Sequence, residues 1–116
     1  MDFDELTVGI EEEYQIIEPR RRELTSYVSR FLAQGATLFR DQVRPELLQS
    51  QVETGSYICR SVKAARREVN RLRSIVGEIA GKNNCKIVAA GTHPFSRWKN
   101  QVITNKERYQ TMVADT

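Results

Sequence analysis

Hydrophobic and polar residues alternate along the run Leu6-Thr7-Val8-Gly9-Ile10-Glu11-Glu12-Glu13-Tyr14-Gln15-Ile16-Ile17. Side chains of a β-strand point to opposite faces in turn, so this spacing predicts a strand with two unlike faces. Leu6, Val8, Ile10, Tyr14 and Ile16 make the apolar face, interrupted only by Glu12, while Glu11, Glu13 and Gln15 share the polar one. Successive carboxylates on that face stand about 7 Å apart, where like charges repel, and a bridging cation would remove the repulsion. The same pattern also describes a half-exposed strand whose acidic face is merely solvated. A second alternating run, residues 47–54, puts Gln49, Gln51 and Glu53 on one face, with Leu48 and Val52 on the other. Two such strands could pair into one sheet surface of acids and amides, although amides on an exposed sheet face are common.

Between residues 62 and 80 the apolar period becomes helical. Ala65, Val69, Leu72, Val76 and Ile79 form one stripe with Ile75 beside it, and Arg66, Arg67, Glu68, Arg71 and Arg73 line the wet side. Ser61 is placed to cap the start, and Gly81 with Asn83-Asn84 to end it. This helix is expected to cover the apolar face of the sheet and leave the carboxylate face open.

Elsewhere the signals are shorter. Pro19 within Glu18-Pro19-Arg20-Arg21-Arg22-Glu23 marks a turn with a solvated basic tip. Thr25 or Ser26 could cap a short helix carrying Tyr27, Val28, Phe31 and Leu32 and closed by Gly35, with a further apolar stretch at residues 36–39. Cys85-Lys86-Ile87-Val88-Ala89-Ala90-Gly91 reads as a short buried strand, followed by the loop Thr92-His93-Pro94-Phe95 at its C-terminal end, where function often sits. His93 is the only histidine, and a lone histidine is more often structural than catalytic. Thr104 or Asn105 is expected to cap a last helix from Lys106, whose stripe Tyr109, Met112 and Val113 has no room to complete its turns. The chain reads as α+β, about four strands with two or three helices and no closure of its own, like the opening of a larger fold.

Composition narrows the class. A chain of 116 residues, 40% hydrophobic and 28% charged, is one domain at most, with ordinary globular composition. The net charge of +3 and pI near 9.1 come mainly from Arg20-Arg21-Arg22 and from residues 60–73. No RNP-like strand, zinc-finger spacing or GXXG loop accompanies that charge, so no nucleic-acid partner is expected. Cys59 and Cys85 lie far apart without a CxxC, which excludes a Cys/His zinc cluster built from this chain alone but leaves one disulfide conceivable. The start Met1-Asp2-Phe3-Asp4-Glu5 lacks a signal-peptide apolar region, and no stretch reaches the length of a membrane span. The expectation is a reduced cytoplasmic protein with no membrane partner.

Three separated segments resemble one family. Thr7-Val8-Gly9-Ile10-Glu11-Glu12-Glu13-Tyr14-Gln15 is similar to the opening strand of bacterial carboxylate–amine ligases of the glutamate–cysteine ligase 2 type. The likeness continues through Leu48-Gln49-Ser50-Gln51-Val52-Glu53-Thr54-Gly55 and Ala89-Ala90-Gly91-Thr92-His93-Pro94-Phe95-Ser96-Arg97-Trp98, in the same order and at similar spacing. The resemblance implies a glutamine synthetase-like curved antiparallel sheet, with helices packed on one face, that holds ATP and Mg2+. It implies phosphorylation of a carboxylate, typically the γ-carboxylate of glutamate, followed by displacement of phosphate by cysteine or another amine.

Matched to the Gly-x-Glu-x-Glu strand of those ligases, Glu11 and Glu13 fall on metal-binding positions, with Glu53 a third carboxylate and Glu46 a fourth through its spacing ahead of Glu53. Gln49 and Gln51 would support these ligands or touch substrate, Thr92 and His93 would lie near the substrate end of the pocket, and Arg97 could meet an anionic substrate. Family members are considerably longer, and their later part brings a His-x-His strand and further metal ligands. Residues 1–116 therefore correspond to the N-terminal portion of the catalytic domain, truncated and expected to be weak or inactive alone. The alternative is a non-catalytic remnant, or a subunit that completes its sheet with another chain or a second copy of itself.

Overall fold

In the structure, a computed structural model that describes residues 3–26, 29, 33 and 40–115, the first alternating run supplies β1 (Glu11–Ile17). β2 (Val43–Pro45), β3 (Gln51–Gly55) and β4 (Lys86–Val88) join it in one antiparallel sheet of order β2-β3-β1-β4. Helix α1 (Val62–Lys82) lies across one face, and α2 (Glu107–Ala114) closes the described chain. The fold is α+β, as the pattern predicts.

The core forms where the two periodicities meet. Tyr14, Ile16, Val43 and Val52 point from the sheet into Val76, Ile79 and Ala80 of α1, with Cys85 beside them. Burying each large aliphatic side chain contributes about 1.5–3 kcal/mol, which holds α1 on this face and leaves the other free. Ser61 caps α1 as expected, its Oγ accepting from the Ala64 N–H at 3.0 Å. The helix stops at Asn83, and Asn84 adopts φ 54°, a left-handed conformation that asparagine tolerates.

β1 begins later than its alternation suggests. Leu6 and Val8 are 54% and 42% exposed, and Val8 makes only an isolated bridge to Cys59. The cause is the partner strand: β3 ends at Gly55, and the Ile10 N–H is taken by the Ser56 hydroxyl at 2.9 Å. β3 is likewise shorter than residues 47–54. Residues 47–49 pair instead with residues 102–104, through Gln49 N–H to the Val102 carbonyl and Thr104 N–H to the Leu47 carbonyl, both at 2.8 Å. Residues 43–45, with no strand pattern of their own, form an edge strand, where Pro45 loses no ladder bond.

Several local expectations change. β4 is not buried: only Ile87 faces the helix side, and Val88 is 40% exposed on the open face. Neither Thr104 nor Asn105 caps α2. The Thr104 hydroxyl donates to the Glu46 carbonyl, and Lys106 occupies the cap position without a side-chain bond. The cysteines are both buried and are not joined in a disulfide. The turn after β1 forms as read, organised by the Glu18 carboxylate, which accepts from the Arg20 and Arg21 N–H groups at 3.0 and 2.6 Å. The short helix expected to carry Tyr27, Val28, Phe31 and Leu32, and the stretch at residues 36–39, lie outside the described residues. Among those described, no helix is long and apolar enough to cross a membrane.

Candidate functional site

Register builds the site. Glu13 of β1 stands directly opposite Glu53 of β3, Gln15 opposite Gln51, and Arg44 of β2 opposite Glu53. All lie on the face turned away from α1, because their neighbours Tyr14, Val52 and Val43 point into the core. A row Arg44–Glu53–Glu13 thus crosses three strands, with Glu11 two residues along β1. Like charges directly opposite in an antiparallel pair are destabilising, and the sheet carries one here.

Arg44 partly offsets the charge. Its Nη2 lies 3.1 Å from Glu11 Oε1 and 3.4 Å from Glu53 Oε1. Gly55 makes room for it, since a Cβ there would stand 3.0 Å from Nη2. Glu13 has no ion-pair partner among the described residues. Partial burial raises the Glu53 pKa above its ordinary value; Arg44 opposes the rise, while Glu11, Glu46 and Glu13 add to it. Sequence reasoning missed Arg44, because its place on this face follows only from pairing with β3.

Glu12, the interruption in the apolar face, is structural. Arg73 of α1 grips its carboxylate with two nitrogens and Tyr14 donates its hydroxyl to the same group. The Arg73 hydrogen bonds hold the Glu12 carboxyl below its ordinary range, although burial acts against them. Burial, with the Glu12 hydrogen bond, pushes the Tyr14 phenol up to about 12.

The other proposed site residues divide. Gln51 shares the carboxylate face, but Gln49 sits in the turn before β3. Glu46 accepts from the Tyr109 hydroxyl at 3.2 Å, close enough to the cluster to raise Glu53. Thr92 and His93 lie in the loop after β4, and Arg97 is exposed. His93 Nε2 donates to the Arg22 carbonyl at 2.7 Å, and Nδ1 accepts from the Phe95 and Ser96 N–H groups at 3.3 and 3.0 Å. A carbonyl only accepts and a backbone N–H only donates, so these partners assign one neutral tautomer. Both ring nitrogens are engaged in tying the 92–96 loop to the basic turn.

Glu11, Glu13 and Glu53 border an open depression of about 480 Å³ that continues to residues 89–91. Among the described residues, no three His, Cys, Asp or Glu side chains converge on one metal position. Magnesium takes hard oxygen donors and usually only one or two carboxylates, the rest of its shell being phosphate and water. The opposed pair Glu13 and Glu53 fits that requirement in kind and in number.

Residues 7–116 match the model of Glutamate-cysteine ligase family 2, and the chain belongs to that family. Among its relatives are proteins named "Putative glutamate--cysteine ligase 2". The one from Chloroflexus aurantiacus is 51% identical over 109 residues, which is 94% of this chain and 28% of that protein. That from Sorangium cellulosum is 50% identical over 113 residues, 96% of this chain and 30% of the relative. That from Solibacter usitatus is 39% identical over 111 residues, 95% of this chain and 29% of the relative. The chain therefore spans 28–30% of the length of these curated relatives.

Proposed function

We propose that this chain provides the metal-holding sheet face of an ATP-dependent carboxylate–amine ligase of the glutamate–cysteine type. The observation that carries this is the opposed carboxylate pair Glu13–Glu53, with no cation of the chain paired to Glu13 among the described residues. In such a reaction a glutamate γ-carboxylate oxygen takes the terminal phosphoryl group of ATP, and ADP leaves. The amine of cysteine or another acceptor then attacks the acyl carbon, phosphate departs, and the nitrogen loses a proton to give the amide. Magnesium, when bound, offsets the repulsion between triphosphate and substrate carboxylate.

The residues divide the work accordingly. Glu13 and Glu53 would hold the cation, and Glu11, now paired with Arg44, would be available to join them. Arg44, freed from Glu11 and Glu53, is a suitable partner for a phosphate oxygen. Gln51 stands next along β3 to orient ligands, and Glu46 adds negative charge from beside the cluster. The open depression cannot exclude water by itself, so catalysis requires further ligase segments, on the same polypeptide or on an associating chain. Phe95, Trp98 and Met112, each more than half exposed, and the edges of β2 and β4, which carry no further strand among the described residues, favour such an association.

The test is magnesium-dependent ADP formation with glutamate and cysteine in the assembled ligase. Glu11→Gln and Glu13→Gln should each lower the rate by at least about 100-fold. Unchanged rates in both variants would remove the metal assignment.

A further inference from the structure

One nitrogen of Arg44 serves two carboxylates: Nη2 lies 3.1 Å from Glu11 Oε1 and 3.4 Å from Glu53 Oε1. Both carboxylates border the open depression, and Glu53 faces Glu13 across the strand pair. A guanidinium and a divalent cation thus compete for the same oxygens. Lone pairs turned toward N–H groups are not available to a metal, and two positive groups held this close repel. Gly55 keeps the guanidinium's place clear, because any Cβ there would stand 3.0 Å from Nη2. The contacts are also loose enough to break. The Arg44 side chain is 45% exposed on the outermost strand of the described sheet, and exposed pairs of this kind hold weakly. A second depression, about 620 Å³, opens beside it, with Arg44, Glu11, Gly55 and Asp41 among its lining residues. The guanidinium therefore has room to leave the carboxylates without disturbing the core.

We propose that Arg44 is an internal competitor of the metal: it occupies Glu11 and Glu53, and it must swing away before a divalent cation seats on Glu13 and Glu53. The affinity for a free cation is held down as a result. This gate rests on the reading of Glu13 and Glu53 as metal holders and adds regulation to it. On that reading, a phosphate oxygen that takes Arg44 also clears the carboxylates. An anionic phosphate ligand and the metal then favour each other's binding, each by the same factor.

Mn2+ is titrated into the protein without nucleotide, while broadening of the Glu13 and Glu53 amide signals in NMR reads the affinity. Arg44→Gln removes the competing contacts and one positive charge, and should tighten Mn2+ about tenfold. Lys86→Gln removes an equal charge from the same open face but on β4, beyond β1 from Arg44, and should change the affinity by less than about twofold. In the parent, titrated with diamagnetic Mg2+, the Arg44 side-chain Nε–H signal should shift with the same midpoint as the Glu13 amide. That second measurement needs no variant to fold. An Arg44→Gln affinity equal to or weaker than the parent's would overturn the gate and leave the metal-holding pair intact. So would equal tightening by Lys86→Gln, or an Arg44 signal that stays still while Mg2+ saturates the Glu13 amide. Mn2+ that broadens neither Glu13 nor Glu53, in the parent or in Arg44→Gln, would instead remove the metal-holding reading and the gate with it.

Discussion

Replacing Glu53 with glutamine should make the folded chain more stable while weakening its hold on a cation. Glu53 stands directly opposite Glu13, which puts their carboxylates about 6 Å apart. At an effective dielectric constant of about 40, two like charges at that distance repel by about 1.4 kcal/mol. The substitution also gives up the ion pair with Arg44 at 3.4 Å, a half-exposed contact whose loss costs about 0.5 kcal/mol. The balance is a gain of about 0.5–1 kcal/mol, or about 2–5 °C in Tm for a domain of this size.

The pH dependence gives the sign. The fold raises the Glu53 pKa above the ordinary 4.5, so the ionised group is penalised in the folded state. That penalty is absent below the ordinary value and is fully present above the raised one. Thermal unfolding followed by circular dichroism should therefore show a higher Tm for Glu53→Gln at neutral pH and no difference at about pH 3.5. A variant equal to or less stable than the parent at neutral pH would mean that Arg44 outweighs the carboxylate repulsion, and would refute the argument.

Three further perturbations bear on the scaffold. The Arg71 guanidinium, assisted by the Tyr57 N–H and Gln42, holds the Glu68 carboxyl down at about 2 although burial opposes it. Its contribution, about 1–2 kcal/mol after solvent screening, is present above pH 4.5 and is lost as pH falls toward 2; Glu68→Gln should flatten that acid limb, and an unaltered limb would contradict the assignment. Val76 is fully buried against the sheet, so Val76→Ala should cost about 1.5–3 kcal/mol in urea unfolding, and a loss under about 0.5 kcal/mol would mean that α1 does not pack as described. Ser61→Ala should cost about 1 kcal/mol and Ser61→Gly only a few tenths, while equal losses would place the stabilisation outside the cap bond to Ala64.

What could be read from the chain was whatever its local periods encode. The two faces of β1 and the stripe of α1 follow from alternation and from helical spacing, so the covered and open sides of the sheet are legible in the sequence. Family resemblance then placed Glu11, Glu13 and Glu53 together, and the register puts them on one face. Partner choice is not a local property. Hence β2, three residues long with a proline, carries no strand pattern of its own. Residues 47–49 read as part of β3 although they pair with residues 102–104. Arg44, Gln15 and His93 owe their surroundings to contacts across the chain, from Glu11 and Glu53, from Ala90, and from Arg22 respectively. No run of neighbours announces such contacts.

The most direct test of the carboxylate platform is paramagnetic: substoichiometric Mn2+, standing in for magnesium, added to the protein while amide signals are followed by NMR. The platform predicts broadening first at Glu13, Glu53 and their strand neighbours, abolished by Glu13→Gln and by Glu53→Gln. Broadening centred on other acidic residues, or unchanged in those variants, would contradict the central claim.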